Sequence, residues 1–171
     1  SALIIKGPNG SGKSSLLRIT AGLLRPYNGY LEWKNSKLGA EMITQLIAYM
    51  GHLDAIKPSL TVFENISFWG QVNKEKNLNI DLVLESLKLT HLIDMPAGYL
   101  SAGQKRRLNF ARIFSSKAKF WILDEPTVSL DSKTSDLFFE ILKNHLFNGG
   151  LAMIATHNQI TIDSTKILRL G

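Results

Sequence analysis

The stretch Gly7-Pro8-Asn9-Gly10-Ser11-Gly12-Lys13-Ser14 decides the fold, because it matches the pattern GxxxxGK[ST] at every fixed position. Glycines allow the backbone to wrap closely, so that successive N–H groups point at phosphate oxygens. A helix that starts at the end of the loop adds the positive end of its dipole. The pattern predicts that Lys13 reaches the β- and γ-phosphates of a nucleotide and that Ser14 binds Mg²⁺. The alternative is an accidental glycine turn, and the flanking sequence decides between the two.

The residues around this loop predict the strand and the helix that such a loop needs. Leu3-Ile4-Ile5 predicts a short strand before it, and residues 14–24 predict a helix after it, which Pro26 stops. Further strand and helix signals alternate along the chain, which favours an α/β fold with a parallel sheet and helices on both faces. The other predicted strands are 30–33, 47–50, 120–123, 151–156 and 166–170, and the other predicted helices are 61–69 (opened by a capping box at Thr61 and Glu64), 81–89, 103–114 and 132–146.

Length and composition limit the classes of protein that remain. The chain has 171 residues, of which 44% are hydrophobic and 20% charged, and these values are typical of one globular domain. Its apolar runs are far shorter than the roughly 20 residues that span a bilayer. The absence of cysteine excludes disulfides and thiolate metal sites. The formal net charge of +6 leaves three interpretations open, namely nucleic-acid binding, attraction to an anionic membrane surface, or a lysine bias without function.

A second motif completes the expected nucleotide site. The apolar strand at 120–123 ends in two carboxylates, Asp124 and Glu125. A phosphate loop needs an acidic strand end beside it to complete a metal site, so Asp124 is predicted to hold Mg²⁺, usually through water. Glu125 is predicted to polarise the attacking water as general base. Taken alone, the motif also fits a strand that ends in a solvated acidic turn.

The stretch Leu100-Ser101-Ala102-Gly103-Gln104 discriminates between the classes of protein that carry a phosphate loop. With it, the chain resembles the nucleotide-binding subunits of ABC transporters. In that family the motif opens a helix and presents its Ser and Gly N–H groups to the γ-phosphate held by the partner subunit. The family form is usually LSGGQ, so Ala102 is a departure at a position that tolerates small residues. Ser101 is also a favourable N-cap residue, and the two roles are compatible.

Two later positions match the family in order. Asp131, in Ser129-Leu130-Asp131, corresponds to the D-loop, which bridges subunits, and His157 corresponds to the switch histidine, which contacts the γ-phosphate. A histidine at a strand end is otherwise most often a surface residue. The residues to which the resemblance assigns roles are catalytic Lys13, Glu125 and His157; nucleotide-binding Gly7, Pro8, Asn9, Gly10, Ser11, Gly12, Lys13, Ser14, Ser15, Ser101, Ala102, Gly103, Gln104 and Asp131; and metal-binding Ser14, Asp124 and His52.

The residue at position 52 indicates which group of ABC ATPases the chain resembles. ABC ATPases normally place a Gln after this strand, whereas this chain has His52. Together with Ala102 and the connecting segment 56–69, His52 makes the chain similar to the ATPase subunits of the cytochrome c maturation haem exporters. The resemblance runs from about residue 5 to about residue 170. A neutral imidazole can accept one hydrogen bond and donate another at a metal site, while the alternative is that His52 merely caps the strand end.

The resemblance also implies a domain organisation. It predicts a P-loop NTPase of the ABC type, with a mostly parallel sheet flanked by helices, as a single nucleotide-binding domain over residues 1–171. A helical subdomain at about 53–115 carries the motif at residues 100–104, the signature motif. Only six residues precede Gly7, so we expect an N-terminally truncated domain in which the N-terminal antiparallel sheet and the adenine-stacking aromatic residue are missing.

The function that the resemblance implies is ATP hydrolysis with ATP and Mg²⁺ as cofactors, coupled to haem export or to release of a haem-loaded chaperone in cytochrome c biogenesis. The implied partners are a second ATPase subunit in a homodimeric sandwich and integral membrane subunits, at the cytoplasmic face of the inner membrane. Neither nucleic-acid binding nor direct solute binding is expected. The alternatives are the ATPase of another ABC exporter and a non-transport ABC ATPase that acts on DNA or ribosomes. A small-molecule kinase has no use for the motif at 100–104.

Overall fold

The computed structural model describes residues 1–33, 36–37, 46–51, 54–128, 130–157, 162 and 165–171. His52 and Ser129 therefore lie outside the described residues. The chain divides into two compact units, which are described separately below. The first unit comprises Ser1–His52, Ala118–Val128 and Ile141–Gly171, and the second comprises Leu53–Lys117 and Ser129–Glu140.

The helices and strands follow the alternation predicted from the sequence. In chain order they are β1 (Ala2–Lys6), α1 (Lys13–Thr20), β2 (Glu32–Trp33), β3 (Ser36–Lys37), β4 (Ile47–Met50), α2 (Val62–Val72), α3 (Ile80–Ser86), α4 (Ala102–Phe114), β5 (Phe120–Asp124), α5 (Ser132–Phe147), β6 (Leu151–Ala155) and β7 (Thr165–Arg169), with short 3₁₀ turns at Thr90–Leu92 and Ala97–Tyr99. In the described part of the chain, no helix combines the length and the apolar character needed to cross a bilayer, and the longest of them, α5, has 16 residues.

Several predicted boundaries were wrong, among them the end of the helix predicted over 81–89, which lies at Ser86. Helix α1 ends at Thr20 rather than at residue 24, because Gly22 adopts a φ of 72°. The N–H groups of Gly22 and Leu23 then donate to the carbonyls of Ile19 and Arg18, respectively. A glycine in this conformation is the usual helix stop, and it acts before Pro26 is reached. The strand predicted at 30–33 begins only at Glu32 and pairs with β3 as a small antiparallel ribbon.

The first unit contains the main sheet, whose strand order is β4-β5-β6-β1-β7 with every neighbouring pair parallel. Its inner strands β1, β5 and β6 are short, mostly apolar runs because both of their faces are covered, whereas most of the edge strand β7 is exposed. The core next to α1 consists of Ile5, Leu17, Ala21, Ile122, Met153 and Ala155. Parallel pairing places the carboxyl ends of β1, β5 and β6 at one edge, where ligands bind in sheets of this kind.

The second unit contains α2, α3 and α4, and local capping fixes where each of these three helices starts. At α2, the Thr61 hydroxyl accepts from the Glu64 N–H at 3.1 Å, and the Glu64 carboxylate accepts from the Thr61 N–H at 2.8 Å. This is the capping box that the sequence predicted. The buried face of α2 includes Val62, Ile66 and Trp69, which is the three- and four-residue spacing of an amphipathic helix.

His145 in the first unit makes stability depend on pH. Its ring stacks on Trp121 with centroids 3.7 Å apart, and its Nε2 lies 3.2 Å from the Leu151 carbonyl oxygen. A Cβ on Gly150 would collide with this ring, so a larger residue there would force His145 to shift. Burial lowers the pKa of His145 below its ordinary value of 6.5, although the hydrogen bond to Leu151 acts in the opposite direction.

We therefore expect the free energy of unfolding to fall as the pH drops below about 6.5, the pKa of an unfolded histidine. The sign follows from the lowered pKa of His145, because the folded state then binds the proton less readily than the unfolded state. The contribution is complete above this pH and is lost on acidification. Urea unfolding between pH 7.5 and 5 measures it, with His145→Phe as the control that keeps a stacked ring. Equal pH slopes for the two proteins would contradict the expectation.

Candidate active site

The loop between β1 and α1 lies at the carboxyl edge of the sheet. Gly10 and Gly12 adopt φ angles of 83° and 91°, in the left-handed region that glycine tolerates. A Cβ on either residue would meet no atom within 4 Å, so conformation rather than space requires glycine there. At Gly7 the reason is different, because a Cβ would collide with the carbonyl oxygen of Leu170. The loop is thus a wrapped backbone with open space above two of its glycines.

Lys13 and Ser11 show that this loop suits an anion. The Lys13 side chain is nearly buried, and its ammonium donates to the carbonyls of Gly7 at 2.8 Å and Pro8 at 2.9 Å. The Ser11 hydroxyl is buried and makes no hydrogen bond within the described residues. A cation held inside the loop, together with an unsatisfied hydroxyl, fits a phosphate group, which supplies negative charge and acceptor oxygens.

Ser14 and Asp124 join the loop to the acidic end of β5. The Ser14 hydroxyl donates to Asp124 Oδ1 at 3.1 Å, although the two residues are 110 positions apart, and Asp124 is buried. Hydroxyl and carboxylate oxygens are ligands that Mg²⁺ accepts, usually together with water and phosphate oxygens. The described residues contain no group of three acidic or histidine side chains that could hold a metal by themselves. His52, the third predicted ligand, lies outside the described residues.

Glu125 and His157 meet beside this pair. Glu125 has a φ of 47°, an unfavourable conformation for a residue with a side chain, and its N–H donates to the carbonyl of Ala155. Such strain is concentrated at functional sites, where the surrounding structure maintains it. The His157 Nε2 lies 3.5 Å from Glu125 Oε1 and 3.0 Å from Asn9 Oδ1. The histidine therefore connects the acidic strand end with the phosphate loop.

In the second unit, Ser101 and Gln104 cap α4 reciprocally. The Ser101 hydroxyl accepts from the Gln104 N–H at 3.3 Å, and the Gln104 side-chain oxygen accepts from the Ser101 N–H at 2.8 Å. The sequence predicted the N-cap role of Ser101, and it missed the reciprocal bond of Gln104. The signal was present, since Ser-x-x-Gln before a helix is the pattern of a capping box. Ala102 at the first position of the helix is exposed.

Asp131 caps α5, a role that was not predicted from the sequence. Its Oδ1 accepts from the Thr134 N–H and its Oδ2 accepts from the Thr134 hydroxyl, both at 2.9 Å. These two hydrogen bonds, the backbone one first, lower the pKa of Asp131 below its usual value. A Cβ on Gly103 would lie 3.2 Å from Asp131 Oδ2, so the carboxylate and the signature motif are neighbours in the second unit.

The structure thus groups the predicted residues as two sets, one in each unit. The first unit brings together Lys13, Ser14, Asp124, Glu125, His157 and Asn9. The contact between the Asn9 side chain and His157 was not predicted. The second unit brings together Ser101, Gln104, Gly103 and Asp131. Ser15 is exposed in the first turn of α1, and its side chain makes no hydrogen bond within the described residues. The catalytic and binding roles of all these residues stay predictions.

A phosphate loop between a strand and a helix of a parallel sheet, with an acidic strand end hydrogen-bonded to it, defines the class of P-loop nucleotide-binding proteins. The family model of the ABC transporter matches residues 1–128. The chain belongs to this family, and the resemblance and the fold class predicted from the sequence are confirmed. ABC cassettes of this family are ATP hydrolases coupled to transport.

Individual proteins to which this chain is similar are also ATP-binding proteins. The cytochrome c biogenesis ATP-binding export protein CcmA of Rhodospirillum rubrum is 42% identical over 171 residues, which cover 99% of this chain and 73% of that protein. CcmA of Paracoccus denitrificans is 45% identical over 170 residues, with coverages of 99% and 76%. Among solved structures, a dimeric ATP-binding cassette in a post-hydrolysis state, bound to ADP and Pi, matches with a TM-score of 0.77 and 26% identity over 92% of this chain and 74% of that one.

Proposed function

We propose that this chain is the ATP-hydrolysing subunit of an export complex in cytochrome c biogenesis. The observation that carries the enzymatic part is the hydrogen bond between Ser14 and Asp124, because it joins the phosphate loop to the acidic strand end. The cytochrome c assignment is supported by relatives that are 42% and 45% identical over nearly the whole chain. Haem, or a haem-loaded chaperone, is the cargo that the sequence resemblance implies.

The arrangement at the sheet edge supports a mechanism for ATP hydrolysis. The N–H groups of residues 7–12 bind the phosphates, and the Lys13 ammonium turns from the loop carbonyls to the β- and γ-phosphates. Ser14 and Asp124 would hold Mg²⁺, which neutralises phosphate charge when bound. Glu125 orients and polarises the attacking water as general base. His157, which already contacts Glu125 and Asn9, contacts the γ-phosphate of the bound ATP.

We further propose that two copies of the chain complete each other's sites. Ser101, Gly103 and Asp131 lie together at the N-terminus of α4, where free N–H groups suit an anion. A solved relative of the same fold is dimeric and binds ADP and Pi. In this homodimeric sandwich, residues 101–104 of one copy face the γ-phosphate bound by the other copy. The whole of residues 1–171 then acts as one nucleotide-binding domain, with the helical subdomain at about 53–115 carrying the signature motif.

The remaining partners follow from the export role. We propose that the protein binds integral membrane subunits at the cytoplasmic face of the inner membrane as a peripheral component. It contacts neither the transported solute nor nucleic acid in this scheme. Its net charge of +6 is consistent with a position near anionic lipid headgroups.

Complementation tests the proposal. In a bacterium that lacks its own cytochrome c biogenesis ATPase, the full-length protein is expected to restore haem attachment to c-type cytochromes, measured by haem staining of membrane fractions. Lys13→Ala is the matched inactive control, and Lys117→Ala, which changes an exposed lysine elsewhere, is the active one. If the protein hydrolyses ATP and forms no c-type cytochrome, the cytochrome c assignment is wrong and another ABC exporter is the alternative. If it does not hydrolyse ATP, the enzymatic proposal is wrong.

A further inference from the structure

The side chain of Asn9 makes a contact to which the proposed mechanism assigns no role. Asn9 lies in the phosphate loop, and its Oδ1 is 3.0 Å from Nε2 of His157, which follows β6. The same ring nitrogen lies 3.5 Å from Glu125 Oε1, at the end of β5. All three residues belong to the first unit. Three segments that are far apart in the chain therefore meet at a single nitrogen atom.

The partners of this nitrogen determine where the proton of the neutral imidazole lies. An amide oxygen and an ionised carboxylate oxygen both accept hydrogen bonds and cannot donate them. Nε2 of His157 therefore carries the proton and donates it to Asn9 Oδ1, with Glu125 Oε1 as a second and more distant acceptor. The hydrogen bond made by one ring nitrogen fixes the tautomer of the whole ring, so Asn9 sets the protonation of both nitrogens of His157.

A γ-phosphate oxygen would need the same proton that Asn9 accepts. An ionised phosphate oxygen is an acceptor, so it can bind His157 through Nε2–H and competes there with Asn9 Oδ1. The His157 side chain is 51% exposed, so little packing opposes a turn of the ring from one acceptor to the other. ADP has no γ-phosphate and therefore offers no competing acceptor at this point.

We propose that Asn9 is the resting acceptor of His157, which holds Nε2–H while the γ-phosphate position is empty and yields it to a γ-phosphate oxygen when ATP binds. This inference rests on the proposed ATPase function and deepens it at the same site. In this role Asn9 is a positioning residue, because it acts through the ring of His157. ATP then meets a donor that is already protonated, oriented and close to Glu125, rather than a ring that samples both tautomers.

Two leucine variants separate this role from the shape of the loop. Asn9→Leu keeps a branched side chain of similar size and removes the acceptor oxygen. Asn28→Leu is the matched control, because Asn28 also precedes a glycine of positive φ, namely Gly29 at 91°, as Asn9 precedes Gly10 at 83°. Asn28 is exposed, and its side chain makes no hydrogen bond within the described residues.

Steady-state ATP turnover of the full-length protein is the first measurement. In Asn9→Leu we expect kcat to fall about two- to tenfold, the effect of one net hydrogen bond, and KM to stay within about twofold. The reason for the constant KM is that Lys13 and the N–H groups of the loop still bind the phosphates. Asn28→Leu is expected to keep both values. An unchanged kcat in Asn9→Leu would overturn the inference, and so would a raised KM at constant kcat, which would make Asn9 a simple binding residue.

Nitrogen NMR of the unaltered full-length protein, labelled in its histidines, tests the acceptor without depending on how a variant folds. At pH 8 the His157 signals, assigned by their loss in His157→Gln, are expected to show a protonated Nε2 both without nucleotide and with ADP. They are expected to shift only when a non-hydrolysable ATP analogue and Mg²⁺ are added. In Asn9→Leu without nucleotide, the two ring nitrogens are expected to approach each other in chemical shift as the tautomers mix. An unprotonated Nε2, or equal shifts with ADP and with the analogue, would overturn the inference.

The two levels of the argument fail in different ways. If the unaltered full-length protein does not hydrolyse ATP, the proposed function is overturned, and the role of Asn9 with it. If it hydrolyses ATP and either the kinetic or the NMR result contradicts the expectation, the inference about Asn9 is overturned while the proposed function stands.

Discussion

Glutamine in place of Glu125 is expected to leave ATP binding intact and to slow hydrolysis by about 10²–10⁴-fold, the contribution of a general base. The amide has the shape of the carboxylate and can keep the contact with His157, which is 3.5 Å from Glu125 Oε1. It cannot take a proton from the attacking water. Phosphate release in the full-length protein measures turnover, and calorimetry with ATP measures binding.

Glu85→Gln is the matched control, because it makes the same chemical change on the exposed face of α3. It is expected to hydrolyse ATP at the normal rate. A normal rate for Glu125→Gln would show that Glu125 is not the base, and the strained φ of 47° would then need another explanation. Weakened ATP binding in Glu125→Gln, with hydrolysis reduced in proportion, would assign Glu125 to the binding of nucleotide rather than to proton transfer.

The parts of the site that the sequence predicted well are governed by short-range patterns. The phosphate loop, the acidic end of β5, the capping box at Thr61 and the N-cap at Ser101 each depend on only a few residues of chain. Their conformations follow from glycine geometry and from hydrogen bonds between near neighbours. The meeting of Ser14 with Asp124 was also predictable, because parallel strands bring their carboxyl ends to one edge of the sheet.

Contacts between distant residues were not predictable in this way. Asn9 and His157 are 148 positions apart, and Asp54 lies 52 and 55 positions from Arg106 and Asn109. No local pattern marks such pairs, since their geometry depends on how whole helices and loops pack. In the sequence, Arg106 is one of three consecutive basic residues, which gives no sign that it is buried and paired.

At Asp131 a capping role was missed, and at helix α1 the predicted end was wrong, although a local signal was present in both places. Asp131 precedes α5 by one residue and caps it through Thr134, which is an ordinary position for an aspartate. The D-loop resemblance drew attention to an intersubunit role instead. For α1, the sequence predicts a stop at Pro26, whereas the backbone turns at Gly22 first. In both cases the nearest hydrogen-bond partners decide the local structure.

Alanine in place of Lys13 is expected to abolish ATP turnover, with a loss of at least about 10²–10³-fold, the effect of removing one preorganised charge-stabilising group. The Lys13 ammonium is the cation that the structure holds inside the phosphate loop, 2.8 Å from the Gly7 carbonyl and 2.9 Å from the Pro8 carbonyl. Without it, the charge of the β- and γ-phosphates is not neutralised at that point. Arg18→Ala, which removes an exposed cation from the same helix, is the control and is expected to retain normal turnover.

A second measurement separates loss of binding by Lys13→Ala from loss of chemistry. In the Glu125→Gln background hydrolysis is blocked, so the proposed ATP-bound dimer should accumulate and be visible in sedimentation. Adding Lys13→Ala to that background is expected to remove the ATP-dependent dimer, because a copy that does not hold the γ-phosphate offers nothing to the signature motif of its partner. A dimer that persists in the double variant would show that Lys13 is dispensable for binding, and normal turnover in the single variant would overturn its catalytic role.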